Sequence, residues 1–463
     1  MGFSDLPPEI VLMILDCIDT TAALKDICLL SKTFCALTQP HLYREIVLGP
    51  EDVPLSILLL CRTIITSPFI AAQVQVVDID TSDSGFIVAE RPDKASGASQ
   101  AGLSAADIRH LKMEAQKINL SDTDPSGPIL WTADFFIFPM LLISCTPNLK
   151  SLIITLEPQG LALLIGLAQG RNNAHQSLSC LGSLESLHLG CRQGRRGDEI
   201  NIRSIAQLLS LLYLNEIKIN DYCAGGEAAC DTITAADIPL GSPYISTISL
   251  SDSSIEETDI GVLIRSCEKL AAFCIGQCSS QSEQLSPQQL YSVLFCQRNN
   301  LRVLQLSFCE DSFASSSIFK DSYFISLEEF ICLEYLTLDQ VYLSHTPELP
   351  VSLKHLAVRE CQSPIAQSLV YIAELALNGQ LPNLSVILLH SDIIYPGQML
   401  NLPQRGATDI LFNEACQKLQ RILVGTGITL CLENDLLDKT VQGYGAAFQD
   451  GQPGVWWPLV YLQ

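Results

Sequence analysis

One apolar template, L-x-x-L-x-L with Ile, Val or Phe able to replace Leu, runs through most of this 463-residue chain and limits what it can fold into. It fits Leu149-Leu152-Ile154, Leu184-Leu187-Leu189, Leu214-Ile217-Ile219, Ile245-Ile248-Leu250 and Leu270-Phe273-Ile275. It then fits Leu301-Leu304-Leu306, Leu333-Leu336-Leu338, Leu353-Leu356-Val358, Leu384-Ile387-Leu389 and Leu419-Ile422-Val424. Successive first positions lie 35, 30, 31, 25, 31, 32, 20, 31 and 35 residues apart, too regular for chance alternation. The last two apolar places of each segment have the two-residue period of a strand, so both side chains face one side. Between them, Leu161 to Ala168, Ile202 to Leu212, Pro287 to Cys296 and Ile365 to Leu377 carry apolar residues at helical spacing. One strand and one helix per repeat, each needing its neighbours to cover its apolar face, predict an α/β solenoid.

The first 48 residues follow another rule. Ser4 or Asp5 can cap a helix whose opening turn takes Pro7 and Pro8, where no N–H partner is required. Leu6 stands just before it, and Ile10, Met13, Ile14 and Cys17 recur along one helical face. A second helix carries Leu24, Ile27, Cys28 and Leu30, and a third Phe34, Leu37, Leu42 and Tyr43. Three helices of about 40 residues cannot bury a self-sufficient core, so their apolar faces need a partner in this chain or another.

With Leu6-Pro7-Pro8-Glu9-Ile10 opening the first helix and Pro40-His41-Leu42-Tyr43-Arg44 closing the third, this segment resembles an F-box of the fungal type. The middle differs from the commonest form, with Ser31-Lys32-Thr33-Phe34 in place of a cysteine, basic and tryptophan or arginine run. The resemblance implies docking onto a Skp-type adaptor, and through it a cullin, by Leu6, Pro7, Ile10, Ile14, Leu24, Ile27, Cys28 and Leu30. The repeats resemble a leucine-rich-repeat domain, although their spacing exceeds its usual length of about 20 to 29 residues. Cys278, Cys309 and Cys361 stand where that family's pattern has Asn or Cys turned inward at the bend. The implied architecture is α/β, a three-helix F-box followed by a leucine-rich-repeat horseshoe. Its parts would be an F-box at 1–48, a linker helix or irregular first repeats at 49–140 with a flexible loop near 90–104, repeats at 141–432, and a C-terminal cap or binding arm at 433–463. Val74-Val77-Ile79, after a helix at Leu55 to Ile65, is a candidate degenerate first strand.

Charge narrows the partners. With 27 Lys and Arg against 50 Asp and Glu, the net charge of −23 repels phosphate backbones and acidic membrane surfaces, so neither nucleic acid nor membrane is an expected partner. The acidic run Asp252 to Asp259 reads as a solvated loop. The apolar run Phe135 to Cys145 is shorter than the about 18 residues a membrane span needs and contains Pro139, so it reads as buried core. The start of the chain, with Asp5 and Glu9, does not resemble a secretory signal, which points to the cytoplasm or nucleus and leaves the 18 cysteines as thiols.

No CxxC pair, ordered Cys/His set, GxSxG elbow or phosphate-binding glycine loop is present, and the seven histidines are scattered over separate repeats. Neither metal, cofactor nor catalytic residue is expected. The Arg192 to Arg196 cluster reads as a turn. What remains is the strand face opposite the apolar residues, where a concave surface would present His188, Lys218, Asn220, Gln305, Tyr335, Thr337, Asp339, His355, Arg359, His390 and Arg421. Aromatic and arginine members among them suit a protein target. The combined resemblance implies a non-catalytic substrate receptor of a Skp, cullin and F-box type ubiquitin ligase. The alternative is a leucine-rich-repeat scaffold or GTPase regulator in which the N-terminal helices are only a cap.

Overall fold

The computed structural model describes residues 6–18, 20–49, 53–80, 103–118, 137–156, 158–168, 181–191, 208–209, 211, 213–220, 244–251, 257–277, 287–308, 324, 326–359, 361, 365–390, 416–424 and 426–433. Cys278, Cys309, the Arg192–Arg196 cluster, most of Ile202 to Leu212 and the segment after Glu433 lie outside them. The chain forms two compact units, divided near Tyr244. Both are mixed α/β, and their strands run parallel in chain order.

The first unit opens with helices α1 (Pro8–Asp16), α2 (Thr21–Leu30) and α3 (Lys32–Leu42). α1 starts without a side-chain cap: the Pro7 carbonyl accepts the N–H groups of Ile10 and Val11, and Pro8 occupies the first turn. α3 is capped by Ser31, whose Oγ accepts the Phe34 N–H at 3.2 Å. Val11, Leu15 and Leu24 form the small core of the three helices, with Leu6, Ile18, Ile27, Phe34, Leu37 and Leu42 packed against it. His41 Nδ1 lies 3.3 Å from Asp16 Oδ1 and ties α3 to the end of α1.

Five strands follow: β1 (Glu45–Leu48), β2 (Val76–Ile79), β3 (Ser151–Leu156), β4 (Ser186–Cys191) and β5 (Glu216–Asn220). β2 realises Val74-Val77-Ile79 as a strand, and β1 is an additional one. Its template is Tyr43-x-x-Ile46-x-Leu48, masked in the sequence by the tyrosine in first place. Val53–Thr66 is helical, and so is Ile137–Ser144, where Ile137 to Ile143 are buried, Pro139 included. These two helices are fastened by the Cys61 thiol, which donates to the Phe138 carbonyl at 3.3 Å. The helix Ala105–Lys117 has a reciprocal cap: Asp107 N–H donates to Ser104 Oγ at 3.1 Å and Ser104 N–H to Asp107 Oδ2 at 2.9 Å. All but Leu103 and Ser104 of the loop expected near 90–104 lies outside the described residues.

The second unit contains β6 (Thr247–Ser251), β7 (Ala272–Gln277), β8 (Val303–Phe308), β9 (Tyr335–Asp339), β10 (His355–Arg359), β11 (Val386–His390) and β12 (Thr429–Glu433). Helices Glu257–Ser266, Pro287–Leu294 and Ile365–Leu377 connect some of them. The first begins inside the acidic run expected to be a loop. A second correction concerns Leu419-Ile422-Val424, which is no strand. Residues 416–423 are helical because Cys416, Leu419 and Leu423, at steps of three and four, are the side chains that bury. The strand comes later, as β12, with Gly427 at φ +80° in the template's first apolar place.

Adjacent strands enter by one repeated device. The Gln75 carbonyl accepts the N–H groups of both Lys150 and Ser151, Lys150 those of Glu185 and Ser186, and Glu185 those of Asn215 and Glu216. The second unit repeats it from Ser246 through Ala271, Arg302, Glu334 and Lys354 to Ser385 and Val386. Each carbonyl thus uses both lone pairs on the following repeat, which locks the register that stacks Leu152 on Leu187 and Leu304 on Leu336. Cys361 turns inward after β10, and its thiol donates to the Val358 carbonyl at 3.2 Å.

Gly379 closes the helix Ile365–Leu377. Its N–H donates to Ala376 O at 3.0 Å and that of Gln380 to Leu375 O at 2.9 Å, a paired C-terminal cap that requires the positive φ of 73°. A Cβ there meets no atom within 4 Å, so the cost of Gly379→Ala is conformational alone. It is expected at about 1 kcal/mol, read as a lowered denaturation midpoint. An unchanged midpoint would show that the cap contributes nothing.

Candidate functional site

Two surfaces hold the residues singled out by the sequence. On α1 the inward positions are Val11 and Leu15, while Ile10, Met13 and Cys17 face solvent and Ile14 is half-buried. Ile10 is 42% exposed, Met13 64%, and Leu30 at the end of α2 67%. The helix is thus apolar on two sides, only one of which the three-helix core uses. Pro7 is exposed and Cys28 half-buried. Leu24 is buried in the core of these helices, and Leu6 and Ile27 pack against it. Of the eight expected adaptor-facing residues, Pro7, Ile10 and Leu30 therefore stand on the exposed surface, Ile14 and Cys28 are half-buried, and Leu6, Leu24 and Ile27 serve the internal packing. Met13 and Leu29, also exposed, extend the apolar surface; Met13 shares the helical stripe of Ile10 and Ile14 and was readable from spacing.

The second surface is the polar face of the strands, and it divides between the units. In the first, His188 on β4 pairs in register with Lys218 on β5, and Gly190 with Asn220. Asn220 hydrogen-bonds His188, yet burial dominates and holds the imidazole below its usual range, so it is neutral at neutral pH. Lys218 Nζ reaches Glu216 Oε1 at 2.9 Å, and Glu216 Oε2 accepts from Ser186 Oγ at 3.0 Å. In the same row as His188 but two strands away on β2, burial and the neighbouring Asp80 push the Asp78 carboxyl up.

In the second unit, Tyr335 and His355 are register partners, and their rings stack with centroids 4.7 Å apart and planes 5° from parallel. Burial, then the Lys354 charge, lower the His355 pKa, which keeps the ring neutral against the tyrosine. Gln305 lies beside Thr337, and His390 ends β11. Asp339 and Arg359 are register partners, but they differ in burial. Asp339 is fully buried, because the 3₁₀ turn Gln340–Tyr342 folds straight back after β9, so it is removed from the exposed row. Arg421 leaves the row as well, since it lies in the helical residues 416–423. The remaining strand-face positions form two half-buried polar groups with an aromatic platform in the second.

Among the described residues no three or more His, Cys, Asp or Glu side chains gather where they could hold a metal ion, and no helix is long and apolar enough to cross a membrane. The geometry offers surfaces for contact: hydrogen-bonding groups, stacked rings and an exposed apolar stripe. No protein-family model matches the chain, and no curated protein matches it at a significant level.

Proposed function

We propose that this protein is the substrate-recognition subunit of a Skp, cullin and F-box type ubiquitin ligase. In this reading α1–α3 are the F-box that docks a Skp-type adaptor, and the strand-and-helix repeats are leucine-rich repeats whose polar strand face holds the target protein. The observation that carries the reading is the second apolar side of α1, where Ile10 and Met13 are exposed and Ile14 is half-covered, beside a core already filled by Val11 and Leu15. Fully burying an exposed side chain of this size is worth about 1.5–3 kcal/mol, and covering the exposed parts of Ile10, Met13 and Ile14 contributes correspondingly less each, in the direction of association. The stacked Tyr335 and His355, with Arg359 on the same strand as His355, suit the anchor chemistry of a protein interface. This chain then contributes proximity and orientation, while bond-making belongs to its partners.

The test is co-purification with a Skp-type adaptor, in parallel with an Ile10→Asp and Ile14→Asp double variant. Neither side chain belongs to the three-helix core, so the variant should fold, as circular dichroism would verify. Capture of the wild type and loss with the variant is the expected outcome. A folded wild type that fails to bind makes the N-terminal helices a cap, and the repeat-scaffold reading then replaces this one.

A further inference from the structure

A groove of about 480 Å³ runs along the entry ends of β7 to β11, just before the strand residues Tyr335 and His355, and none of its lining residues belongs to the three N-terminal helices. Its charged lining is Lys269, Arg302, Lys354 and one carboxylate, Glu334. Three cations to one anion reverse the balance of a chain with net charge −23. Glu334 Oε1 accepts from Arg302 at 2.9 Å and Glu334 Oε2 lies 3.0 Å from Lys354 Nζ, so each oxygen has its own cation. Burial alone would raise this carboxyl, but the hydrogen bonds from Arg302 and Lys354 hold it below its usual range. Lys269 has no such partner among the described residues.

Four of the backbone carbonyls along the groove are already occupied. The carbonyls of Ala271, Arg302, Glu334 and Lys354 each already take two N–H groups from the following repeat. The charged groups the groove offers a ligand are therefore mainly donors, the ammonium and guanidinium groups of Lys269, Arg302 and Lys354, with the amides of Asn299, Asn300 and Asn383 beside them. Five strand entries at about 4.8 Å spacing span roughly 19 Å, the length of about six residues of extended peptide and far more than a single small anion fills. Ile331, 63% exposed on the groove wall, supplies an aliphatic contact.

We propose that this groove binds an acidic peptide segment of a partner protein, its carboxylates on Lys269, Arg302 and Lys354 and an aliphatic side chain against Ile331. The probe is a short fluorescein-labelled peptide of glutamates around one leucine, titrated against the full chain by anisotropy, with a glutamine version as its neutral counterpart. The glutamate peptide should bind and weaken with added salt, and the glutamine version should bind at least about tenfold more weakly, the size of one charge-assisted hydrogen bond. Lys269→Glu should cost about tenfold as well. Because Lys269 is exposed and unpaired among the described residues, that variant leaves the fold undisturbed, which a thermal melt would verify. An Arg302→Gln and Lys354→Gln pair should cost more, whereas Ile10→Asp with Ile14→Asp should cost nothing, which separates this surface from adaptor docking. Absence of glutamate-peptide binding, equal binding of the glutamine peptide, or full affinity in Lys269→Glu each overturns the proposal.

Discussion

Phe273→Ala is expected to destabilise the second unit by about 3–5 kcal/mol, the range for deleting a buried aromatic ring and leaving a cavity. Phe273 is completely buried on β7, in register with Ile248 on β6 and Leu304 on β8. The corresponding places on neighbouring strands hold Leu336, Leu356 and Ile387, so the ring is the one aromatic in a column of aliphatic side chains. A backbone fixed on both sides by strand pairing cannot collapse onto the void, which places the cost toward the upper end. Urea denaturation followed by far-ultraviolet circular dichroism would read it as a lowered midpoint. Val47→Ala, at an exposed position of β1, should shift the midpoint little, and a comparable shift from the two variants would contradict the packing argument.

Gln297 carries the second large effect. Its side chain is 4% exposed and engages in four directions. Oε1 accepts the Leu270 N–H at 3.3 Å and Asn300 Nδ2 at 3.2 Å, while Nε2 donates to Cys267 O at 2.7 Å and Ile264 O at 3.3 Å. One amide thus satisfies the bend that leads into β7 from the repeat that follows it. Gln297→Leu keeps approximate volume and strips these partners, at an expected cost of about 2–4 kcal/mol. Gln297→Glu should be worse at neutral pH, because a carboxylate would face two carbonyl oxygens in a buried site. The introduced carboxyl would have its pKa raised in the folded state. The native state would then bind the extra proton first, and stability should recover as pH falls through that raised value. A midpoint for Gln297→Glu that does not rise on mild acidification relative to wild type would refute this account.

Most of the strand framework was legible because it rests on a two-residue period that few other structures impose. Every template segment from Leu149 to Leu389 became a strand. The failures have local causes. Leu419, Ile422 and Val424 also fit a helix, and burial of Cys416, Leu419 and Leu423 decided for the helix, taking Arg421 with it. β12 was hidden because glycine stands where the template wants an apolar residue, and β1 because tyrosine does. For the candidate site, sequence placed residues on a face but not their depth: the turn after β9 buries Asp339 beyond what alternation could foretell. The same limit applies to α1 and α2. Apolar spacing marked Leu24 and Ile10 alike, and only packing separates the side chain that fills the core from the one left in water. The basic groove was illegible for another reason, since Lys269, Arg302 and Lys354 come from three separate repeats.

The carbonyl that receives two N–H groups at the entries to β3–β5 and β7–β11 also explains how so uneven a chain remains regular. Glu334 and Lys354 stand 20 residues apart and Arg302 and Glu334 stand 32 apart, yet both intervals end in the same pair of hydrogen bonds. Length added or removed between entries is never measured by the sheet, because the junction recognises only the two residues that arrive at it. Such a chain can acquire or shed whole surface excursions by insertion and deletion without re-registering a single strand, so its outer surface is free to diverge while its spine is held constant.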